Sequence, residues 1–253
     1  MSQPLLLLIF NIQYLVLGLL AGVALNFIAD HLMPRGATCG YCGRRRDYGG
    51  NWAVAAYLRR GGKCMGCAAV LPLRPVLVEL TCAAGLPLLW RREGVTLQAA
   101  FLAAYLFILL LLSVTDLEQR RIPNVVIYPA LGLALIGAFV QPPGDWQSAL
   151  LGGTVALAFF SLLYWMGIGF ALLVRRRVPA LGAGDVKLAT FVGLVTGWPG
   201  VVVALGLGIL AAAVCAAALI LVQLLRGQYR PGQTMPYGPF LAAWAALVLL
   251  LSG

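Results

Sequence analysis

The feature that most constrains this sequence is a succession of long apolar runs separated by short polar stretches. Seven of them reach, or nearly reach, the length that a helix needs to cross a hydrocarbon core of about 30 Å. They occupy residues 5–28, 75–90, 97–114, 125–140, 149–174, 201–225 and 239–251. A shorter run at 186–196 ends at the turn-forming stretch Gly197-Trp198-Pro199-Gly200. Because a backbone in lipid must satisfy its own hydrogen bonds and no barrel pattern is present, we predict an all-α polytopic membrane protein with about eight transmembrane segments.

The composition agrees with this fold class. Hydrophobic residues make up 62% of the 253 residues and charged residues only 10%, whereas soluble domains are about 45–50% apolar and about 25% charged. The net charge of +10 would suggest a nucleic-acid partner in a soluble protein. In a membrane protein it is better explained by Lys and Arg in cytoplasmic loops, so we predict a lipid bilayer as partner and no nucleic acid.

The basic residues predict an orientation. With eight segments, the loops on one side are 30–74, 115–124, 175–185 together with Lys187, and 226–237, and they hold 16 of the 18 Lys and Arg residues. The other side holds only Arg91 and Arg92. The positive-inside rule places the four basic loops in the cytoplasm and both termini outside.

The amino-terminal segment is predicted to remain as the first transmembrane helix, because its apolar run is too long for a cleavable signal and no basic residues precede it. We therefore divide the chain into a first helix at 1–29, a cytoplasmic loop domain at 30–74 and a multi-helix membrane domain at 75–253.

Two Cys-x-x-Cys pairs lie in the long basic loop: Cys39 with Cys42, and Cys64 with Cys67. Each pair can present two thiolates to one tetrahedral ion, which predicts a structural zinc site with four cysteine ligands. Two disulfides are the alternative, but a cytoplasmic position disfavours them, and a redox pair is a further alternative. The loop has few apolar residues, so a metal would supply much of its folding energy.

Asp116 and Asp185 are the acidic residues that most strongly suggest chemistry. Asp116 closes a long apolar helix, and Asp185 opens the short segment within Gly182-Ala183-Gly184-Asp185. The predicted topology puts both carboxylates at the cytoplasmic boundary, where they can meet. Two neighbouring carboxylates share one proton, so one can take a proton from water while the other polarises a scissile carbonyl. The pair predicts an aspartyl protease, although a lone Asp at a helix end is often only a cap.

Glu79 is a second candidate, because an ionisable residue within an apolar run is costly and often functional. It lies five residues after Arg74. A structural ion pair with Arg74 and a role in chemistry are both consistent with this position.

Several motifs in a fixed order resemble those of the bacterial prepilin peptidases, a family of membrane aspartyl proteases with a Gly-x-Gly-Asp motif. They are Asn26 in Gly22-Val23-Ala24-Leu25-Asn26, the two Cys-x-x-Cys pairs, Arg74-Pro75 with Glu79, Asp116 followed by Pro123-Asn124, Gly182-Ala183-Gly184-Asp185-Val186-Lys187, and Pro236-Tyr237-Gly238-Pro239-Phe240. The resemblance covers nearly the whole chain. Its departures are Gly40-Tyr41 inside the first Cys pair, where a proline is usual, and Asp30-His31 at a commonly basic position.

The resemblance implies an enzyme of type IV pilus and type II secretion systems in the bacterial inner membrane. It implies that Asp116 and Asp185 cleave the leader from prepilins and pseudopilins, supported by Gly182, Gly184, Lys187, Pro123 and Asn124. It also implies N-methylation of the new terminus with S-adenosylmethionine, for which Glu79 and Asn26 are candidate residues. Since a basic leader would meet a basic cytoplasmic face, we expect Asp47 or Glu118 to receive it.

Two other classes of function fit parts of the sequence. In an ion-coupled membrane transporter, Asp116 and Asp185 would relay protons, although such carboxylates are expected nearer the middle of the bilayer. In a membrane-anchored zinc-ribbon adaptor, neither aspartate would have a chemical role.

Overall fold

A computed structural model describes residues 3–32, 39, 41–43, 52–64, 66–140, 146–173, 181–227 and 236–251. Within these residues there are nine α-helices and, apart from an isolated bridge between Lys63 and Val70, no β-structure. The helices are α1 (Gln3–Leu32), α2 (Ala53–Arg60), α3 (Arg74–Glu93), α4 (Leu97–Gln119), α5 (Asn124–Val140), α6 (Trp146–Leu173), α7 (Ala183–Thr196), α8 (Gly200–Leu225) and α9 (Gly238–Leu251).

Each of the eight apolar runs in the sequence forms a helix, which confirms the all-α polytopic prediction. Within the described ranges, four spans are long and apolar enough to cross a membrane, and α5 and α9 are shorter apolar helices. The four spans are Ile9–Leu32, Leu97–Gln119, Trp146–Leu173 and Gly200–Leu225. The ninth helix, α2, lies in the cysteine-containing loop, where the sequence analysis placed no helix.

The chain divides into two compact units, Met1–Phe107 and Ile108–Gly253, so that α4 contributes its first half to one and its second half to the other. In the first unit, α1 packs along α3, and α2 packs against α3. Glycines allow the first contact, because a Cβ on Gly22 would lie 2.6 Å from Cα of Glu79 and a Cβ on Gly18 would lie 2.3 Å from the carbonyl oxygen of Cys82.

The second unit is organised around the short helix α7, which packs against α5, α6, α8 and α9. Leu188, Ala189, Phe191 and Val192 of α7 are all buried. A helix surrounded in this way faces other helices along most of its length, so its 14 residues form the core of this unit. At its end Gly197, with φ of 62°, donates its N–H to the carbonyl oxygen of Gly193 and terminates the helix.

Candidate active site and metal centre

Asp116 lies in the last turn of α4 and is almost entirely buried, with 5% of its surface exposed. Its Oδ2 accepts a hydrogen bond of 2.9 Å from the backbone N–H of Gly238, the first residue of α9. A carboxylate that is removed from solvent but hydrogen-bonded to a helix N-terminus retains a favourable site for its negative charge.

Asp185 lies in the first turn of α7 and is partly exposed. Its Oδ2 accepts a hydrogen bond of 3.0 Å from the N–H of Gly182, while its own N–H donates to the carbonyl oxygen of Gly182 over 3.1 Å. This reciprocal pair of bonds fixes the start of α7 and leaves Oδ1 of Asp185 outside it.

The structure places both predicted aspartates in the second unit, Asp116 at the end of α4 and Asp185 at the start of α7. Asp116 is near enough to Asp185 for an electrostatic interaction between the two carboxyl groups. Both carboxylates have one oxygen on the N–H of a glycine at a helix start. Each of the two carboxyl groups is therefore anchored by a backbone N–H at a helix start.

The residues predicted to support the dyad surround the start of α7. Gly184 packs against Ile122, since a Cβ on this glycine would lie 3.1 Å from Cβ of Ile122. Pro123 accepts at its carbonyl oxygen from the N–H groups of Val126 and Ile127, which starts α5.

Lys187 connects α7 to the start of α5. Its Nζ donates a hydrogen bond of 2.7 Å to Oδ1 of Asn124 and lies 4.7 Å from the centre of the Tyr128 ring. The ammonium group is thus held by an amide oxygen and an aromatic face, two residues after Asp185.

The four predicted metal ligands converge in the first unit. The Sγ atoms of Cys39, Cys42, Cys64 and Cys67 all lie within 4.8 Å of one another. Cys39 is 3.6 Å from Cys67 and Cys42 is 3.7 Å from Cys64, each measured between Sγ atoms and each joining one motif to the other. These four cysteines could hold a metal ion.

The spacing of the sulfurs suits ligands of one tetrahedral metal ion better than disulfides. A disulfide joins two sulfurs at about 2.05 Å, whereas a tetrahedron with Zn–S bonds of about 2.3 Å has sulfur–sulfur edges of about 3.8 Å. The two measured distances match the tetrahedral edge. All six cysteines, including Cys82 and Cys215, are free thiols.

Backbone N–H groups prepare two of these thiols as ligands. Those of Cys42 and Tyr41 lower the pKa of Cys39 to about 6, and those of Gly66 and Cys67 lower the pKa of Cys64. The thiol of Cys67 also receives the N–H of Ala69, which lowers its pKa, but burial and the surrounding thiols raise it to about 12. A bound cation would relieve this crowding of negative charge.

Glu79 is fully buried in α3, and its carboxylate binds the start of α2. Its Oε1 accepts the N–H of Ala53 over 2.8 Å, and its Oε2 accepts the N–H of Val54 over 2.9 Å. The two donors are among the N–H groups that a helix leaves unpaired at its N-terminus. Glu79 therefore caps α2, although it lies 26 positions after Ala53 in the sequence.

Asn26 of α1 lies beside Glu79. Its Nδ2 donates to the carbonyl oxygen of Pro75 over 2.9 Å and to Oε1 of Glu79 over 3.5 Å. Its Oδ1 is buried without a hydrogen-bond partner. The structure thus brings together both residues that the resemblance named for methyl transfer.

Three further charged residues were considered from the sequence, and the structure describes two of them. Arg74, considered above as a partner for Glu79, forms an ion pair with Asp30, 44 positions away. No local pattern links these two residues, so only the packing of α1 on α3 reveals the pair. Glu118 is exposed at the end of α4, and Asp47 lies outside the described residues.

Comparison with known proteins identifies the family. A sequence profile of the type IV leader peptidase family matches residues 103–221. A prepilin leader peptidase/N-methyltransferase of Pseudomonas putida is 32% identical over 217 residues, which cover 83% of this chain and 70% of that protein. Proteins of the same name from Stutzerimonas stutzeri and Bacillus subtilis are 29% and 25% identical, covering 90% and 91% of this chain and 75% and 87% of their own lengths.

This chain belongs to the type IV leader peptidase family. The matched segment of this leader peptidase contains both aspartates and Lys187, whereas the cysteine cluster and Gly238 lie outside it. No solved structure matches the chain.

Proposed function

We propose that this leader peptidase is a membrane aspartyl endopeptidase that removes the leader from prepilins or pseudopilins, with Asp116 and Asp185 as its catalytic residues. The observation that carries the proposal is that a buried Asp116 and Asp185 lie at helix ends in the same unit of a member of this family, each held by a backbone N–H. In each aspartate the backbone N–H binds Oδ2, so that Oδ1 is the oxygen left for the reaction.

Amide hydrolysis follows from a dyad that holds one proton. The ionised carboxylate takes a proton from a water molecule, whose oxygen attacks the scissile carbonyl, while the protonated carboxylate donates a hydrogen bond to the carbonyl oxygen. The tetrahedral intermediate then breaks as a proton passes to the leaving amine. No covalent bond to the enzyme forms, so no nucleophilic side chain is needed.

A position at helix ends suits the substrate of a leader peptidase. A prepilin presents a basic leader followed by a long apolar helix, which can lie in the bilayer beside the enzyme and leave the scissile bond at the boundary. The distribution of Lys and Arg supports a boundary at the cytoplasmic face, with both termini of the enzyme outside. We place the protein as a multi-pass component of the bacterial inner membrane.

We also propose that the enzyme methylates the newly exposed N-terminus and that the site includes Asn26 and Glu79. S-adenosylmethionine, when bound, supplies the methyl group. The unpartnered, buried Oδ1 of Asn26 is an acceptor for an N–H donor, and it lies on a side chain that contacts Glu79. Glu79 binds the start of α2, which belongs to the cysteine-containing loop, and Asn26 contacts Glu79.

Zinc is the metal that we propose for the cysteine cluster, in a structural role. Four thiolates leave no open coordination position for a substrate. The ion would fix the two Cys-x-x-Cys turns of the cytoplasmic loop domain that we propose at 30–74, between the first helix at 1–29 and the protease domain at 75–253.

Glu118 is our candidate for receiving the basic leader, because it is exposed two residues after Asp116. The charge reversal Glu118→Lys should slow cleavage of substrates with basic leaders more than of substrates with neutral leaders. Equal slowing of both would contradict this role.

The proposed function is tested by incubating the purified enzyme, reconstituted in lipid, with a prepilin, with and without S-adenosylmethionine. Mass spectrometry of the product separates loss of the leader from gain of a methyl group. We expect leader removal in both samples and methylation only with the donor. Family membership favours this reading over the transporter alternative, which would instead require proton movement across the vesicle membrane without cleavage.

A further inference from the structure

Gly238 contacts Asp116 in two ways. Its N–H donates to Oδ2 of Asp116 over 2.9 Å. A Cβ on Gly238 would lie 2.6 Å from the same oxygen, 3.0 Å from Cγ and 3.2 Å from Cβ of Asp116. Real Cβ atoms essentially never approach another heavy atom within 3.0 Å, so the carboxylate occupies the space that any side chain at position 238 would need.

The hydrogen bond has a structural reason in α9. The N–H groups of Phe240 and Leu241 donate to the carbonyl oxygen of Tyr237, which starts the helix. The N–H of Gly238 belongs to the first turn and has no carbonyl oxygen of its own helix to reach. Asp116 accepts it instead, so the carboxylate of α4 caps α9.

The same contact fixes which oxygen of Asp116 remains for chemistry. Oδ2 is bound to the backbone of α9 and is pressed against Gly238, which leaves Oδ1 as the oxygen without this contact. Asp185 is arranged in parallel, with Oδ2 on the N–H of Gly182. The two sites differ in the space around the glycine, because a Cβ on Gly182 would lie 3.3 Å from Oδ2 of Asp185, compared with 2.6 Å between a Cβ on Gly238 and Oδ2 of Asp116.

We propose that Gly238 is a positioning residue for peptide-bond cleavage: its N–H and its missing side chain together hold the Asp116 carboxylate in its reactive orientation. This inference rests on the proposed function, since it assigns a role to Gly238 only if Asp116 is catalytic. The inference makes the Pro236-Tyr237-Gly238-Pro239 turn part of the peptidase site. This turn lies outside the segment that the family profile matches.

The test compares three glycine-to-alanine variants of the full-length enzyme on a prepilin. Gly238→Ala should lower kcat about 100-fold with KM unchanged, because a displacement of about 1 Å in a catalytic group costs about that factor. Gly182→Ala should lower kcat by a smaller factor. Gly132→Ala, whose Cβ would meet nothing within 4 Å in α5, should match the wild type.

A thermal-stability cycle separates the contact from a general packing defect. Gly238→Ala should lower Tm in the wild-type background, whereas in the Asp116→Ala background, where the carboxylate is absent, it should lower Tm by less than half as much. If Gly238→Ala fails to accumulate, the double variant should accumulate as well as Asp116→Ala alone. Additive effects on Tm, or on accumulation, would overturn the inference.

The inference and the proposed function fail in different ways. Wild-type kcat in Gly238→Ala, with Asp116→Asn inactive, would overturn the positioning role and leave the aspartyl mechanism standing. Activity retained in Asp116→Asn would overturn the proposed function itself.

Discussion

Gly152 of α6 and Gly193 of α7 pack backbone against backbone, because a Cβ on either glycine would lie 2.4 Å from the carbonyl oxygen of the other. Helices approach this closely only where small residues face each other, and here only glycine leaves enough room. Since α7 also carries Asp185 in its first turn, this contact helps to fix the helix that carries one of the two proposed catalytic carboxylates.

Replacing Gly193 with alanine should therefore destabilise the second unit. Overpacking at this crossing is expected to cost about 1–3 kcal/mol, and Tm in detergent should fall accordingly. Gly167→Ala in α6 is the matched control, because a Cβ there meets nothing within 4 Å and alanine favours a helix over glycine. Equal Tm values for the two variants would contradict the close packing.

The bond between Lys187 and Asn124 should affect activity more than stability. It joins exposed groups, so Asn124→Ala should lower stability by no more than about 1 kcal/mol, while freeing the start of α5 to shift relative to α7 and reducing kcat about tenfold. Asn11→Ala removes a similar exposed bond of 2.9 Å, from Arg91 Nε, in the other unit. That variant should cleave prepilin at the wild-type rate, and an equal loss in both would indicate a nonspecific effect.

Loss of the Glu79 carboxylate should open α2. Glu79→Ala leaves the N–H groups of Ala53 and Val54 without their acceptor, at about 1–3 kcal/mol for each buried donor. Amide hydrogen exchange across Ala53–Arg60 should then quicken by about tenfold or more. Glu93 lies in the last turn of α3, the helix that carries Glu79, and Glu93→Ala should leave amide exchange in α2 unchanged. Unchanged exchange in Glu79→Ala would show that its carboxylate does not hold α2.

Only four of the six cysteines should be required for metal binding. Substitution of Cys39, Cys42, Cys64 or Cys67 by serine should abolish stoichiometric zinc in the purified protein, measured by elemental mass spectrometry, because a structural site needs all four thiolates. Cys215 lies in α8, outside the cluster, so the Cys215→Ser variant should retain the metal. Full zinc content in a Cys39→Ser variant would contradict the four-cysteine site.

The sequence predicts the helices well because a helix in lipid requires a long apolar run, which is easy to recognise. All eight apolar runs form helices, with ends that differ by only a few residues from the predicted bounds. The helix α2 could not be predicted from such runs, because it is only eight residues long and is capped by Glu79, a residue of another helix.

The predictable part of the site is the part carried by local motifs. Gly182 and Asp185 are three positions apart, and both their type and spacing are visible in the sequence. Gly238 and Asp116 are 122 positions apart, and the sequence around either residue does not indicate a contact with the other. The pairing of Arg74 with Asp30 is of the same kind. Contacts between helices distant in sequence depend on which helices pack together, and hydrophobicity alone does not specify this.

The central claim, that Asp116 and Asp185 form one catalytic dyad, is tested most directly by cleavage of a purified prepilin by wild type, Asp116→Asn and Asp185→Asn. Each isosteric change removes one ionisable group and keeps the side chain's shape, so zinc content and Tm should remain near wild type. We expect both variants to lose leader removal almost completely. Cleavage by either variant at a rate near wild type would contradict the dyad.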